Sequence, residues 1–232
     1  GERVVLEVPP ESQLGLQRLL VGGLEPSVSL SPVARKFLLE LPKPELDDLR
    51  ADTERFLNIA NERLGLKLES MAYDALKALP LVLREGDWKI TFTARNGEVI
   101  SVEPGDTRDR LYGLAVDIGT TKLAAYLVDL NTGRNVATSS EMNPQTKHGG
   151  DVLTRITYAM KTPPNLEELH EILIEAINHM ISQICRKLGL SEHEVYDIVA
   201  VGNTAMHHFF FDIQPRSVGL SPYPAVVGRP LD

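Results

Sequence analysis

One cysteine in 232 residues, Cys185, is the scarcest feature of this chain. A lone thiol excludes an internal disulfide framework and fits a reducing compartment, so a cytoplasmic location is expected. It lies beside the apolar stripe of an amphipathic segment, where a small buried side chain is the expected role. Long hydrophobic runs are also missing. No window approaches the ~20 uninterrupted apolar residues of a membrane span, and no secretory leader is visible. Positive charge is in deficit, with 24 Lys and Arg against 32 Asp and Glu, a net of −8. That balance argues against nucleic acid as a general partner. No glycine-rich loop leads from a strand into a helix through Gly-Lys-Ser/Thr, so a Walker-type phosphate loop is excluded. The remainder is 43% apolar and 24% charged, an ordinary globular composition. The length suffices for one large or two modest domains.

Residues 1–30 read as a linker segment, with a short apolar run at Val4–Val8, then Pro9-Pro10 and Gly22-Gly23. Residues 31–104 read as a small α+β unit. An extended strand is expected over 33–41, closed by Pro42 and Pro44. Leu46, Leu49, Thr53, Phe56, Ala60 and Leu64 recur at helical spacing, with Gly65 at the cap position. A shorter helix is expected over Ser70–Leu79, ended by Pro80. Two strands flank Asn96-Gly97, a strong hairpin signal. A unit of about 75 residues buries little core alone. Its exposed face is expected to be covered, most simply by the same unit in a two-fold homodimer, or else by the second domain. Pro104-Gly105-Asp106 and Arg108-Asp109-Arg110 mark the boundary before residues 111–232.

That second domain reads as α/β. Three antiparallel strands are expected over 112–142, then a loop through Gly149-Gly150 and a helix from about Asp151. Pro163-Pro164 ends that helix. Leu169, Leu173, Ala176, Ile177, Met180, Ile184 and Leu188 mark a long amphipathic helix whose methionine is a packing residue. Tyr196–Val201 reads as a short buried strand, and Gly202-Asn203-Thr204 opens a helix through Phe211.

The chemistry concentrates at the first of these hairpins. An apolar strand runs into Asp117, and Gly119-Thr120-Thr121-Lys122 turns the chain into a second apolar strand. Gly119 lets the backbone turn sharply and approach a ligand closely. The two threonines add hydroxyls to their N–H donors, and Lys122 adds a mobile point charge suited to a phosphoryl oxygen. Asp117 can hold Mg²⁺ through its retained waters. The second constellation is the strand-to-helix junction at Gly202-Asn203-Thr204, a place where ligands bind in α/β folds. Asn203 also fits a plain helix-cap role, and the two roles are compatible. Asp129, at the far turn, is expected to matter little for chemistry. The tandem pair His207 and His208 does not have a metal-ligand spacing.

The Asp-x-Gly-Thr-Thr hairpin of Asp117, Gly119, Thr120 and Thr121 resembles the phosphate-binding hairpin of the actin, heat-shock-protein and sugar-kinase ATPase superfamily. Three segments together are similar to a narrower family, the reductive activators of corrinoid proteins. They are Val116–Lys122, Asn143-Pro144-Gln145 with Gly150–Ile156, and Val201–His208 followed by Gly219–Tyr223. The resemblance implies a ribonuclease H-like α/β half-domain at 111–232, with 31–104 as a middle or dimerisation domain. It implies ATP and Mg as cofactors, with Asp117 as the catalytic and metal-holding carboxylate. Gly119, Thr120, Thr121, Lys122 and Gly202 would line the phosphates. Asn203 or Thr204 would orient the attacking water. The activity implied is ATP-dependent reduction of Co(II) to Co(I) on a corrinoid (iron–sulfur) protein or corrinoid methyltransferase subunit. Members of the family carry a four-cysteine [2Fe–2S] domain, which a chain with one cysteine cannot hold. The superfamily also needs a second ATPase half with an adenosine site. The chain is therefore expected to be a fragment of a longer protein and a poor ATPase by itself. A small-molecule kinase of the same superfamily, or a nucleotide-dependent binding module, are the alternative readings of the same hairpin.

Overall fold

Two four-stranded sheets follow one another along the chain in the computed structural model, which describes residues 30–48 and 50–231. The expected linker up to residue 29, with its Val4–Val8 run, and Leu49 lie outside these described residues. The first sheet combines β1 (Ala34–Glu40), β2 (Ser70–Met71), β3 (Lys89–Arg95) and β4 (Glu98–Pro104) in the order β1-β3-β4-β2. β3 pairs antiparallel with both β1 and β4, and β2 runs parallel to β4. Asn96 and Gly97 take φ of 51° and 84° between β3 and β4, the left-handed pair that a tight hairpin requires.

Helices α1 (Asp52–Leu64) and α2 (Tyr73–Glu85) cover one face of this sheet. Phe92 lies at the centre, edge-on to Phe56 at 5.0 Å and stacked with Phe37 at 5.3 Å. The helix expected from residue 46 starts instead at Asp52. Leu46 is fully exposed, so its place in the apolar periodicity is accidental. The Asp48 carboxylate holds the preceding chain in a turn, accepting from the Arg50 N–H and from the buried Arg55 guanidinium. Gly65 does cap α1, with φ of 63°. The second helix does not end at Pro80 but continues through it to Glu85. An interior proline costs about 3 kcal/mol. Burying Val82 and Leu83 beyond it contributes roughly 1.5–3 kcal/mol each, so packing prevails.

The opposite face of the sheet is polar and also covered. Thr91 and Thr93 are fully buried there. Lys36 Nζ donates to Glu103 Oε2 at 2.8 Å and to Thr107 Oγ1 at 3.2 Å. The Tyr196 hydroxyl, from the second half of the chain, donates to the other Glu103 oxygen, and Lys36 Nζ sits 4.8 Å from the Tyr196 ring centre. Burial and the Glu103 carboxylate push the Tyr196 phenol well above its ordinary pKa.

The second sheet contains β5 (Tyr112–Ile118), β6 (Lys122–Asp129), β7 (Arg134–Met142) and β8 (Val195–Gly202) in the order β7-β6-β5-β8. The three consecutive strands are antiparallel, and β8 returns parallel to β5. Helices α3 (Val152–Ala159), α4 (Pro163–Leu188) and α5 (Thr204–Phe210) contribute to the core on one face. Leu114, Val116 and Ile118 point into that core with Leu169, Leu173, Ala176, Met180 and Ile184 of α4. The methionine stripe is thus packing. Pro163 occupies the first turn of α4, where its missing N–H costs nothing. Cys185 is buried on α4. A short helix, α6 (Arg216–Gly219), closes onto α3. β8 is not the buried strand its apolar run suggested. It is the edge of the sheet among the described residues, and Ile198, Val199 and Val201 are 50–58% exposed. The fold class is as expected: an α/β second half preceded by a small α+β unit.

Candidate functional site

Strand alternation fixes the side on which Asp117 stands. Val116 and Ile118 face the core, so Asp117 projects from the opposite side, where it is exposed. Among the described residues its carboxylate has neither a salt-bridge nor a hydrogen-bond partner. Just beyond it, a Cβ on Gly119 would run into the Lys122 carbonyl oxygen, so only glycine fits this turn. Thr121 and Lys122 are exposed, and no described residue accepts the N–H of Gly119, Thr120 or Thr121.

The strand-to-helix junction comes to the same place through the β5–β8 register. Ile118 is paired with Gly202, and a Cβ on Gly202 would lie 3.1 Å from the Ile118 carbonyl oxygen and 3.2 Å from Met206 Cβ. Glycine therefore permits the close approach of the two strand ends. Asn203 follows and performs two tasks. Its Oδ1 accepts from the N–H groups of Ala205 and Met206, both at 3.1 Å, capping α5. Its Nδ2 donates to Thr120 Oγ1 at 3.0 Å. That bond uses the hydroxyl of Thr120 as acceptor and leaves its O–H free to donate. Thr204 is exposed at the start of α5, next to this pair.

Asp117, Gly119, Thr120, Gly202 and Asn203 thus converge on the ends of two adjacent parallel strands, with Thr121, Lys122 and Thr204 around them. The donor set fits a polyphosphate: free backbone N–H groups, hydroxyls and one mobile ammonium. One exposed carboxylate fits Mg²⁺, which keeps waters and shares its remaining positions with substrate phosphates. Among the described residues no cluster of three or more His, Cys, Asp and Glu forms a ready metal cage. A [2Fe–2S] cluster does not fit these residues, because Cys185 is the only thiol and is buried.

The remaining candidates make contacts within the fold. Asp129 Oδ1 accepts from the Asn131 N–H and Oδ2 from the Thr132 hydroxyl, both at 2.8 Å, which closes the far turn. His208 is buried, its Nδ1 donating to the Thr204 carbonyl at 2.7 Å and its Nε2 accepting from Val226 at 3.4 Å. His207 packs on Phe211. His148 stacks on Tyr158 at 4.4 Å, with Nε2 at 3.1 Å from Glu168.

Sequence reasoning gave no role to the layer beneath the turn. Asn143, Gln145 and Arg155 are each fully buried. Asn143 reaches the Gly119 carbonyl, Gln145 Nε2 donates to the Leu169 carbonyl at 2.9 Å, and Arg155 Nε donates to the Gly149 carbonyl at 2.8 Å. Burial lowers the Arg155 pKa, partly offset by Asp151. The available signal was an Asn-Pro pair directly after the third strand of the antiparallel run.

The fold is an α/β half, with a cluster of polar groups at the ends of two parallel strands, preceded by a small α+β unit. Residues 23–109 match the family description "RACo linker region" and residues 112–232 match "RACo middle region". The chain belongs to the RACo family, the reductive activators of corrinoid proteins. It is 30% identical over 169 residues, 72% of its length, to "Corrinoid activation enzyme RamQ" of Eubacterium limosum, of which the match covers 28%. A solved structure, "Reductive activator for corrinoid,iron-sulfur protein", is 34% identical with a TM-score of 0.73, over 88% of this chain and 33% of that one. The chain spans about a third or less of these relatives.

Proposed function

We propose that this chain supplies one wall of an Mg–ATP site in a protein that couples ATP hydrolysis to one-electron reduction of cobalt, Co(II) to Co(I), on a corrinoid protein. The observation that carries this reading is the 3.0 Å bond from Asn203 to Thr120, which ties the glycine turn beside Asp117 to the opening of α5. Bound Mg–ATP would supply a phosphoanhydride whose hydrolysis makes an uphill electron transfer favourable. Asp117 would hold the metal through water, while Gly119, Thr120, Thr121 and Lys122 would bind phosphoryl oxygens. Gly202 keeps the two strand ends close, and Asn203 or Thr204 would orient the attacking water. The electron comes from a donor other than these residues, since their single thiol is buried. The names of the two relatives support a corrinoid protein as partner.

The reading includes a two-fold dimer through residues 31–104. The polar sheet face is already covered by Tyr196, which leaves the outer side of α2, where Tyr73, Leu76 and Leu81 are exposed. Sedimentation of the intact protein at micromolar concentration should show the dimer, and a monomer would remove this part. Net charge of −8 and the single thiol support a reducing, cytoplasmic setting without nucleic acid.

The central test is Asp117→Ala in the intact protein. ATP-dependent cobalt reduction, read from the optical spectrum of the corrinoid, should be abolished while the fold is retained. Unchanged activity would overturn the proposal.

A further inference from the structure

Asn143 follows β7 directly and lies fully buried beneath the turn after Asp117. Its Nδ2 donates to the Gly119 carbonyl and its backbone N–H to the Thr121 carbonyl, both at 2.9 Å. Its own Oδ1 accepts from the Gln145 N–H at 3.0 Å, which fixes the amide so that Nδ2 faces the turn. Its carbonyl accepts from Thr146 N–H at 3.0 Å and Thr146 Oγ1 at 2.8 Å. Gln145, itself fully buried, continues the anchoring to the Leu169 carbonyl on α4. One residue, through its side chain and its backbone N–H, thus grips two carbonyls of a four-residue turn and is tied to the core in turn.

The geometry has a directional consequence. A trans peptide is planar, so the Thr120 N–H points opposite to the Gly119 C=O. The carbonyl points to Asn143, on the core side, where Met206 Sδ lies 3.6 Å from Nδ2. The Thr120 N–H therefore points away from the core, to the side on which Asp117 stands. We propose that Asn143 is a positioning residue that holds the Gly119–Thr120 peptide in the orientation that offers its N–H to a phosphoryl oxygen of Mg–ATP. The inference rests on the nucleotide reading above and adds a residue outside the phosphate-contacting set. Gly119 has no Cβ to restrict its backbone, so this peptide can rotate when its carbonyl is released. The flipped form would present a carbonyl oxygen to the phosphate in place of a donor, which is repulsive.

Asn143→Asp removes the donor and sets a carboxylate against the Gly119 carbonyl, and Asn143→Ser is too short to reach it. Calorimetry on the intact protein with Mg–ATP, Mg–pyrophosphate and adenosine distinguishes positioning from general damage. Both variants should weaken Mg–ATP and Mg–pyrophosphate at least about tenfold and leave adenosine unchanged, as expected for one lost charge-assisted bond. Amide exchange in the turn should rise while β5 and β6 stay protected. If Asn143→Asp does not fold, Asn143→Ser is read alone. Mg–ATP affinity equal to wild type, or an equal loss for adenosine, would overturn the positioning role. Absence of Mg–ATP and Mg–pyrophosphate binding by the wild-type protein would instead overturn the nucleotide reading itself.

Discussion

The two sheets have four strands each and use them in opposite ways. The first is covered on both faces: helices and Phe56 on one side, Lys36, Thr107 and Tyr196 on the other. Its central strand β3 is buried from Ile90 to Ala94. Among the described residues the second is covered on one face only, and its open face carries Asp117 and Val201 side by side in register. A sheet closed on both faces has nothing left to bind with but holds a rigid reference frame. A sheet open on one face gives up burial and gains a row of strand ends where polar groups can meet a ligand. The two are joined by a small polar seam, Lys36–Glu103–Tyr196, rather than by a shared apolar core.

The sharpest way to separate the two regions is to damage each at its centre. Phe92→Ala should cost about 3–5 kcal/mol in urea unfolding, since the ring is fully buried between Phe37 and Phe56. Asp117→Ala, on the open sheet, should change stability by no more than about 0.5 kcal/mol. Equal costs would mean that the open face is as tightly determined as the closed one.

The seam itself should respond less strongly. Tyr196→Phe leaves Glu103 with one donor fewer and should cost about 1–3 kcal/mol. Burial would raise the Glu103 pKa, but hydrogen bonds from Lys36, Thr107 and Tyr196 outweigh it and hold the carboxyl below its ordinary value. A depressed folded pKa contributes stability that is present above the unfolded carboxylate value of about 4.3 and lost as pH falls through the folded one. Removing the tyrosine donor raises the folded pKa, so acid unfolding of Tyr196→Phe should begin at higher pH than in wild type. An unchanged acid limb would show that Lys36 and Thr107 suffice.

A smaller effect than at the seam is expected at Asn203. Asn203→Ala loses the cap of α5 and should cost about 0.5–2 kcal/mol. Asn203→Asp keeps an acceptor for Ala205 and Met206, so its stability should stay close to wild type, while the donor to Thr120 is lost. Nucleotide affinity that falls equally in both variants would identify the Thr120 bond, rather than the cap, as the property the site uses.

The sequence was most legible where local chemistry and burial agreed. The Asn96-Gly97 turn, the Gly65 cap and the α4 stripe follow from φ preference and period alone. The glycine turn and the 202–204 junction were also visible separately. Their meeting was not, because the Thr120–Asn203 bond spans 83 residues and depends on the parallel register of β5 and β8. Three errors have one physical origin, in that local signals were taken as decisive. Leu46 continued a helical period but makes no core contact. Pro80 is a helix breaker overruled by Val82 and Leu83. The apolar run of β8 stands at a sheet edge instead of its centre. Asn143 was legible only as part of a family-like segment and without a role, because a polar residue before proline reads as a loop, and its value lies in two carbonyls that only the folded turn presents.

That edge has a consequence for how the chain behaves in a crowd. Natural edge strands are blunted by lysine, proline or strong bulges, which block pairing with a neighbour's backbone. Residues 195–202 contain neither lysine nor proline, and Asp197 is their single charge. Among the described residues their outward N–H and C=O groups have no partner strand and form a template for strand addition, flanked by exposed Ile198, Val199 and Val201. A strand added there would run beside Gly202 and Asn203, so aggregation and access to the glycine turn compete for one ribbon of backbone. A lysine in place of Val199 would discourage such pairing without touching Asp117, Thr120 or Asn203.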